Sequence, residues 1–148
     1  MSKKLTAAQI TLWVNRVIAL LIVLLIPGLP SLLKWYSTIR ILSQLEYGAI
    51  LIAFYCCVVV IGIALWNLDK LLCNILQEQV FIRGNISRIR IVRWCCGGIS
   101  AICLPAAVCY LPLLFVVLIM AFLCLVISVL VHVMDAAVTI REENDLTI

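Results

Sequence analysis

From Trp94 to Met134 the chain carries no Asp, Glu, Lys or Arg. One helix over that stretch would extend about 60 Å, twice the ~30 Å hydrocarbon core of a bilayer. The chain must therefore turn back, and Tyr110 and Pro112 mark the break. Two spanning helices are predicted, over about 89–111 and 113–140, forming a tight antiparallel hairpin. Two earlier runs have the same character: "ITLWVNRVIALLIVLLIPGLPSLL" at 10–33 and "YGAILIAFYCCVVVIGIALWNL" at 47–68. Pro27, Gly28 and Pro30 are expected to bend or end the first of these on its far side. Hydrophobic residues make up 66% of the chain and charged residues 12%, against about 25% charged in soluble domains. All 148 residues read as one all-α membrane domain, with four transmembrane helices in an antiparallel bundle.

Lys3 and Lys4 precede the first run as they would in a signal peptide. The apolar segment from Val17 to Leu33 is longer than a signal peptide needs, and no small-residue cleavage site follows it. It is expected to stay as a spanning helix. Orientation follows the cationic residues. Lys3, Lys4, Lys70, Arg83, Arg88, Arg90, Arg93 and Arg141 fall on one side, and Lys34 and Arg40 on the other. Both termini and the middle loop are thus expected on the cytoplasmic side of the cell (inner) membrane. Trp13, Trp35, Tyr36, Trp66 and Trp94 lie near span ends, as an interfacial aromatic belt requires.

In the middle loop, Leu68, Leu71, Leu72, Ile75 and Leu76 recur at helical spacing, so the second helix is expected to run on past the membrane. "RGN" should break it, with Gly84 taking a positive φ and Asn85 capping the next helix. Arg88, Arg90 and Arg93 make the entrance to the third span basic. Each such cation near an anionic surface contributes about 1 kcal/mol. The basic entrance suits headgroup contact, and equally a docking surface for a cytoplasmic partner. Gly97 and Ala101 have the small-xxx-small spacing that lets helices approach closely.

The fourth helix carries Ser128, His132, Asp135 and Thr139 at steps of four, three and four, which places them on one stripe. Glu142 and Glu143 extend it. Polar groups facing lipid are costly, so the stripe is expected to face the bundle interior. Asn15 and Arg16 at the inner end of the first helix, with Asn67 and Asp69 at that of the second, should share its depth. One polar cluster is expected there, with Arg16 paired to Asp135, because a desolvated charge needs a counter-charge. His132 and Asp135 could orient one another, and His132 could titrate near neutral pH. A hydrolase would also need an activated nucleophile, and Ser128 in a membrane helix commonly bonds its own backbone. One histidine is poor provision for zinc. No catalytic residue, metal or cofactor is assigned.

Of the eight cysteines, Cys56, Cys57, Cys103, Cys109 and Cys124 lie in apolar runs. There they read as small hydrophobes. The vicinal pairs Cys56-Cys57 and Cys95-Cys96 lack C-x-x-C spacing, and a thiol enzyme built on them is the weakest reading. The polar stripe stops at Ser128, so no continuous hydrophilic path crosses the bilayer within one chain. A channel or small-solute transport subunit would need several copies, and it stands as the alternative function.

Two stretches, "VFIRGNISRIRIV" and "AAVTIREENDLTI", resemble an uncharacterised bacterial family of small four-helix membrane proteins that includes the YoaS-like proteins. The matching positions are Phe81, Asn85, Ile89 and Arg90, together with the acidic-then-apolar terminus. Arg83 and Gly84 stand where that family often has acidic residues. The resemblance implies no enzymatic activity. It implies a gene neighbourhood containing a small helix-turn-helix regulator, and hence a membrane anchor or inhibitor of such a regulator.

The tail "REENDLTI" then has three readings: a frayed end, a clasp of its acidic residues onto Arg83, Arg88 or Arg90, or a strand-like tip of Leu146, Thr147 and Ile148 for a partner. The residues assigned to partner or headgroup contact are Phe81, Arg83, Asn85, Arg88, Arg90 and Arg93. On the tail they are Glu142, Glu143, Asn144, Asp145, Leu146 and Ile148. Lipids, a cytoplasmic DNA-binding regulator and further copies of the chain are the expected partners, with no direct nucleic-acid binding. In a cysteine-free background, Gly84→Cys and Thr147→Cys are expected to react with an impermeant thiol reagent from the same side of the membrane. Labelling from opposite sides would overturn the topology.

Overall fold

Hydrocarbon offers no partner for backbone N–H and C=O groups, so a chain this apolar must satisfy them within each segment. The computed structural model describes residues 2–77 and 82–147, with the side chains of 7–77, 82–144, 146 and 147. It has four helices: α1 (Ser2–Ile39), α2 (Gln44–Leu76), α3 (Arg83–Cys109) and α4 (Leu113–Leu146). All four are long and apolar enough to cross a membrane. With 38, 33, 27 and 34 residues, they extend about 57, 50, 40 and 51 Å. Three of them therefore outreach the hydrocarbon core by about 20 Å or more.

The helix limits differ from expectation in four places, each for a local reason. First, α1 does not end near Leu33 but runs through Pro27 and Pro30 to Ile39. Pro30 has no N–H to offer the carbonyl of Ile26 one turn back. The Tyr55 hydroxyl of α2 donates to that carbonyl at 3.1 Å, so the proline leaves no unsatisfied group there. Second, α2 starts at Gln44 rather than Tyr47, because Ser43 and Glu46 form a reciprocal capping box. The Ser43 hydroxyl accepts from the Glu46 N–H at 3.2 Å, and the Glu46 carboxylate accepts from the Ser43 N–H at 2.8 Å. Such a box satisfies two orphan donors at once.

Third, Asn85 is not a cap. Ile82 is the extended residue before α3, and Gly84 lies within the helix with no positive φ. Asn85 sits in the first turn and is fully buried, its Oδ1 accepting from Asn74 Nδ2 of α2 at 2.7 Å. Fourth, Leu146 is the last residue of α4 and not part of a strand. Phe81 and Ile148 lie outside the described residues.

Packing joins successive helices only: α1 to α2, α2 to α3 and α3 to α4. Among the described residues α1 and α4 do not pack against each other. One apolar core gathers Cys57, Ile99, Cys103, Ala107 and Val117, with the sulfurs of Cys57 and Cys103 3.7 Å apart. A second gathers Ile86, Ile89, Val131 and Val138. All eight cysteines are free. Gly97 faces Cys124 of α4, whose sulfur would lie 3.6 Å from an added Cβ, an ordinary van der Waals contact, so the helix approach there does not demand glycine. Ala101 is exposed. At the other end of the molecule the Tyr36 and Tyr110 hydroxyls lie 3.3 Å apart, and the Arg40 guanidinium stands 5.6 Å from the Tyr110 ring centre.

Tyr55→Phe is expected to lower unfolding stability in detergent by about 0.5–1.5 kcal/mol. In a Pro30→Ala background the loss should shrink, because residue 30 then supplies the missing N–H. Equal losses in both backgrounds would show that the hydroxyl does not serve the proline.

Candidate functional surface at the arginine-rich end

Each helix pair brings polar residues together near the end that carries Arg83. Between α1 and α2, Asn15 is 5% exposed and donates from Nδ2 to the Leu65 carbonyl at 3.3 Å. Its Oδ1 is buried and has no hydrogen-bond partner among the described residues. Arg16 Nε bonds Asp69 Oδ1 at 3.2 Å. The expected partner of Arg16 was Asp135. The correction has a simple cause: α1 packs on α2 and not on α4. Asn67 turns back to its own helix, donating to the Ile63 carbonyl at 2.9 Å.

Between α3 and α4, Arg93 Nη1 donates to the Ser128 hydroxyl at 3.3 Å. The Arg93 guanidinium also stands 5.4 Å from the Trp94 ring centre, as Lys70 stands 5.5 Å from that of Trp66. Both cations thus stand over aromatic rings, within the range of a cation–π attraction. At the start of α3, Arg83 grips Glu142 with two bonds, Nε to Oε1 at 2.9 Å and Nη2 to Oε2 at 2.5 Å. A bidentate guanidinium–carboxylate pair fixes orientation as well as distance. It ties the last turns of α4 to the first turn of α3. Arg88 is half-buried, whereas Arg90, Arg141, Glu143, Asn144 and Leu146 are exposed. The Asp145 side chain lies outside the described residues.

The α4 stripe does not face inward. His132, Asp135 and Thr139 are exposed, while Val117, Val131 and Val138 are the buried residues of that helix. His132 Nδ1 lies 2.7 Å from the Ser128 carbonyl, and the Thr139 hydroxyl donates to the Asp135 carbonyl at 3.0 Å. His132 thus meets the backbone of Ser128, while the Ser128 hydroxyl is taken by Arg93. The single cluster expected from shared depth is instead a set of separate contacts divided among the three helix interfaces. Among the described residues no group of three His, Cys, Asp or Glu side chains is placed to hold a metal ion.

Two residues with clear roles were not singled out by the sequence. Asn74 lies in the apolar repeat "LLCNIL", where one polar residue on a buried face calls for a polar partner on the next helix. Tyr55 lies in mid-span, and its signal is the proline in the facing helix.

Residues 17–148 match a family model described as a protein of unknown function, DUF2975. Neither a curated protein nor a solved structure matches the chain.

Arg16→Ala and Asp69→Ala, singly and together, are expected to show a coupling of about 0.2–1 kcal/mol, typical of a solvent-reached ion pair. Arg16→Ala and Asp135→Ala should be additive. Coupling in the second cycle and none in the first would reverse the assignment.

Proposed function

The chain belongs to the DUF2975 family of proteins of unknown function, and on that premise we propose that it is a non-enzymatic, multi-pass membrane protein holding a soluble partner at its arginine-rich end. The observation that carries this reading is the Arg83–Glu142 grip, which orders the end of α4 beyond its apolar stretch. A grip at that place presents a formed surface rather than a loose tail. Arg90 and Arg141 offer cations there, Glu143 an anion, and Leu146, 87% exposed, an apolar contact. Mixed charge around an exposed apolar residue suits a protein partner better than a simple anionic ligand.

In this reading the helices run antiparallel, and the cationic residues orient both termini toward the cytoplasm of a bacterial cell. The partner is a small helix-turn-helix transcription regulator, as the YoaS-like resemblance implies. The membrane protein would hold that regulator away from DNA or release it.

The test is co-expression with a small helix-turn-helix regulator of the kind the resemblance implies, followed by purification in a gentle detergent. The regulator is expected to co-purify with the wild type. Leu146→Asp or Arg90→Glu should reduce its recovery about tenfold, the consequence of losing one central contact. The exchanged pair Arg83→Glu with Glu142→Arg should keep it. Ion flux through proteoliposomes, with no capture of the regulator, would replace this reading with the oligomeric channel.

A further inference from the structure

A groove of about 340 Å³ runs between α1 and α2. Its walls are apolar, formed by Ala19, Val23 and Ile26 on one helix and Val58 and Gly62 on the other. Small residues make the space: a Cβ added at Gly62 would meet nothing within 4 Å. Its inner mouth holds Asn15, Arg16 and Asp69. The Tyr55–Ile26 hydrogen bond crosses from α2 to α1 at the far end. From Asn15 to Ile26 the groove covers about 16 Å of helix rise, close to half the hydrocarbon core. It therefore has the length of one leaflet, with polar groups at one end only.

Those polar groups are incompletely used. Asn15 is 95% buried (5% exposed), lines the groove, and leaves Oδ1 without a donor. The bond from its Nδ2 to Leu65 fixes which amide atom remains. A buried acceptor without a donor is uncommon and calls for a partner. Arg16 spends Nε on Asp69, and Asp69 spends Oδ1 on Arg16. The other guanidinium nitrogens and the second carboxylate oxygen have no partner among the described residues. The mouth thus offers two acceptors, one of them anionic, beside a cationic donor. Arg16 is 60% exposed and held through one nitrogen, beside Asn15 in the lining of the groove.

We propose that this groove binds a zwitterionic aminophospholipid of the phosphatidylethanolamine type, one acyl chain lying between α1 and α2. The primary ammonium group donates to Asn15 Oδ1 and Asp69, and the phosphate accepts from Arg16. The charge pattern selects this headgroup. A choline headgroup carries a cation but no N–H, so it leaves Asn15 unsatisfied. A glycerol headgroup has hydroxyl donors but no cation for Asp69, and its phosphate would meet that carboxylate unscreened. The site is independent of the partner surface, and its success or failure leaves that reading untouched.

The test uses the full chain, purified and stripped of lipid, in nanodiscs of phosphatidylcholine. Small amounts of phosphatidylethanolamine or of its mono- and dimethylated forms are added, and lipid retained on release is counted by native mass spectrometry. Retention is expected to fall with each methyl group, by about tenfold across the series. Gly62→Leu, which fills the groove, should abolish the preference, and Asn15→Leu should flatten the series. Equal retention across the series on the wild type overturns the proposal, whether or not Asn15→Leu folds. A preference for phosphatidylglycerol, or one that survives Gly62→Leu, overturns it as well.

Discussion

Every backbone group inside hydrocarbon must find a partner without water, and this requirement governs the structure more than side-chain packing does. Helices meet it along most of their length. The exceptions are where the chain needs help, and the help is specific. Ile26 loses its donor to Pro30 and gains the Tyr55 hydroxyl. The exposed start of α2 is closed by Ser43 and Glu46. The start of α3 has no side-chain cap, and there the fully buried Asn85 joins the helix to α2 through Asn74. Each repair also ties one structural segment to another or fixes a helix end.

Packing by sequence neighbours follows from short connections, and it decides which polar groups can meet. Since α1 and α4 do not pack together, a charge on α1 answers to α2. Arg16 therefore bonds Asp69, and Arg93 on α3 reaches Ser128 on α4. The deeper arginines combine a hydrogen bond or ion pair with partial exposure, which suits cations held near an interface. Shared depth is a weaker guide to contact than shared interface.

Four apolar helices and the run of α2 on to Leu76 were legible in the residues, because apolar length and helical spacing are one-dimensional signals. Which face of a helix turns inward was not. The stripe of Ser128, His132, Asp135 and Thr139 is regular, but it marks the polar face without saying where the neighbouring helices stand. Val131 and Val138 compete for the same helix and win the contact with α3. The Pro27–Pro30 segment misled for a related reason: proline ends a helix in isolation, while a facing hydroxyl lets it continue. Asn85 looked like a cap because it follows glycine, yet the chain turns one step earlier at Ile82.

The outward stripe then raises the question of what polar side chains on an exposed helix face meet. Helix rise supplies an answer. Counting from Leu113, Asp135 lies about 33 Å along α4, past the ~30 Å of hydrocarbon, and His132 about 28 Å, near its edge. Counting from Tyr47 on α2, Asp69 also lies about 33 Å along. The two aspartates therefore lie at the same rise along separate helices. His132, Asp135 and Thr139 are exposed at a rise where a spanning helix begun at Leu113 has used up the hydrocarbon thickness. Their polarity then requires no buried cluster. The remaining turns of α4, from Thr139 to Leu146, run on beside the first turn of α3, where Glu142 meets Arg83.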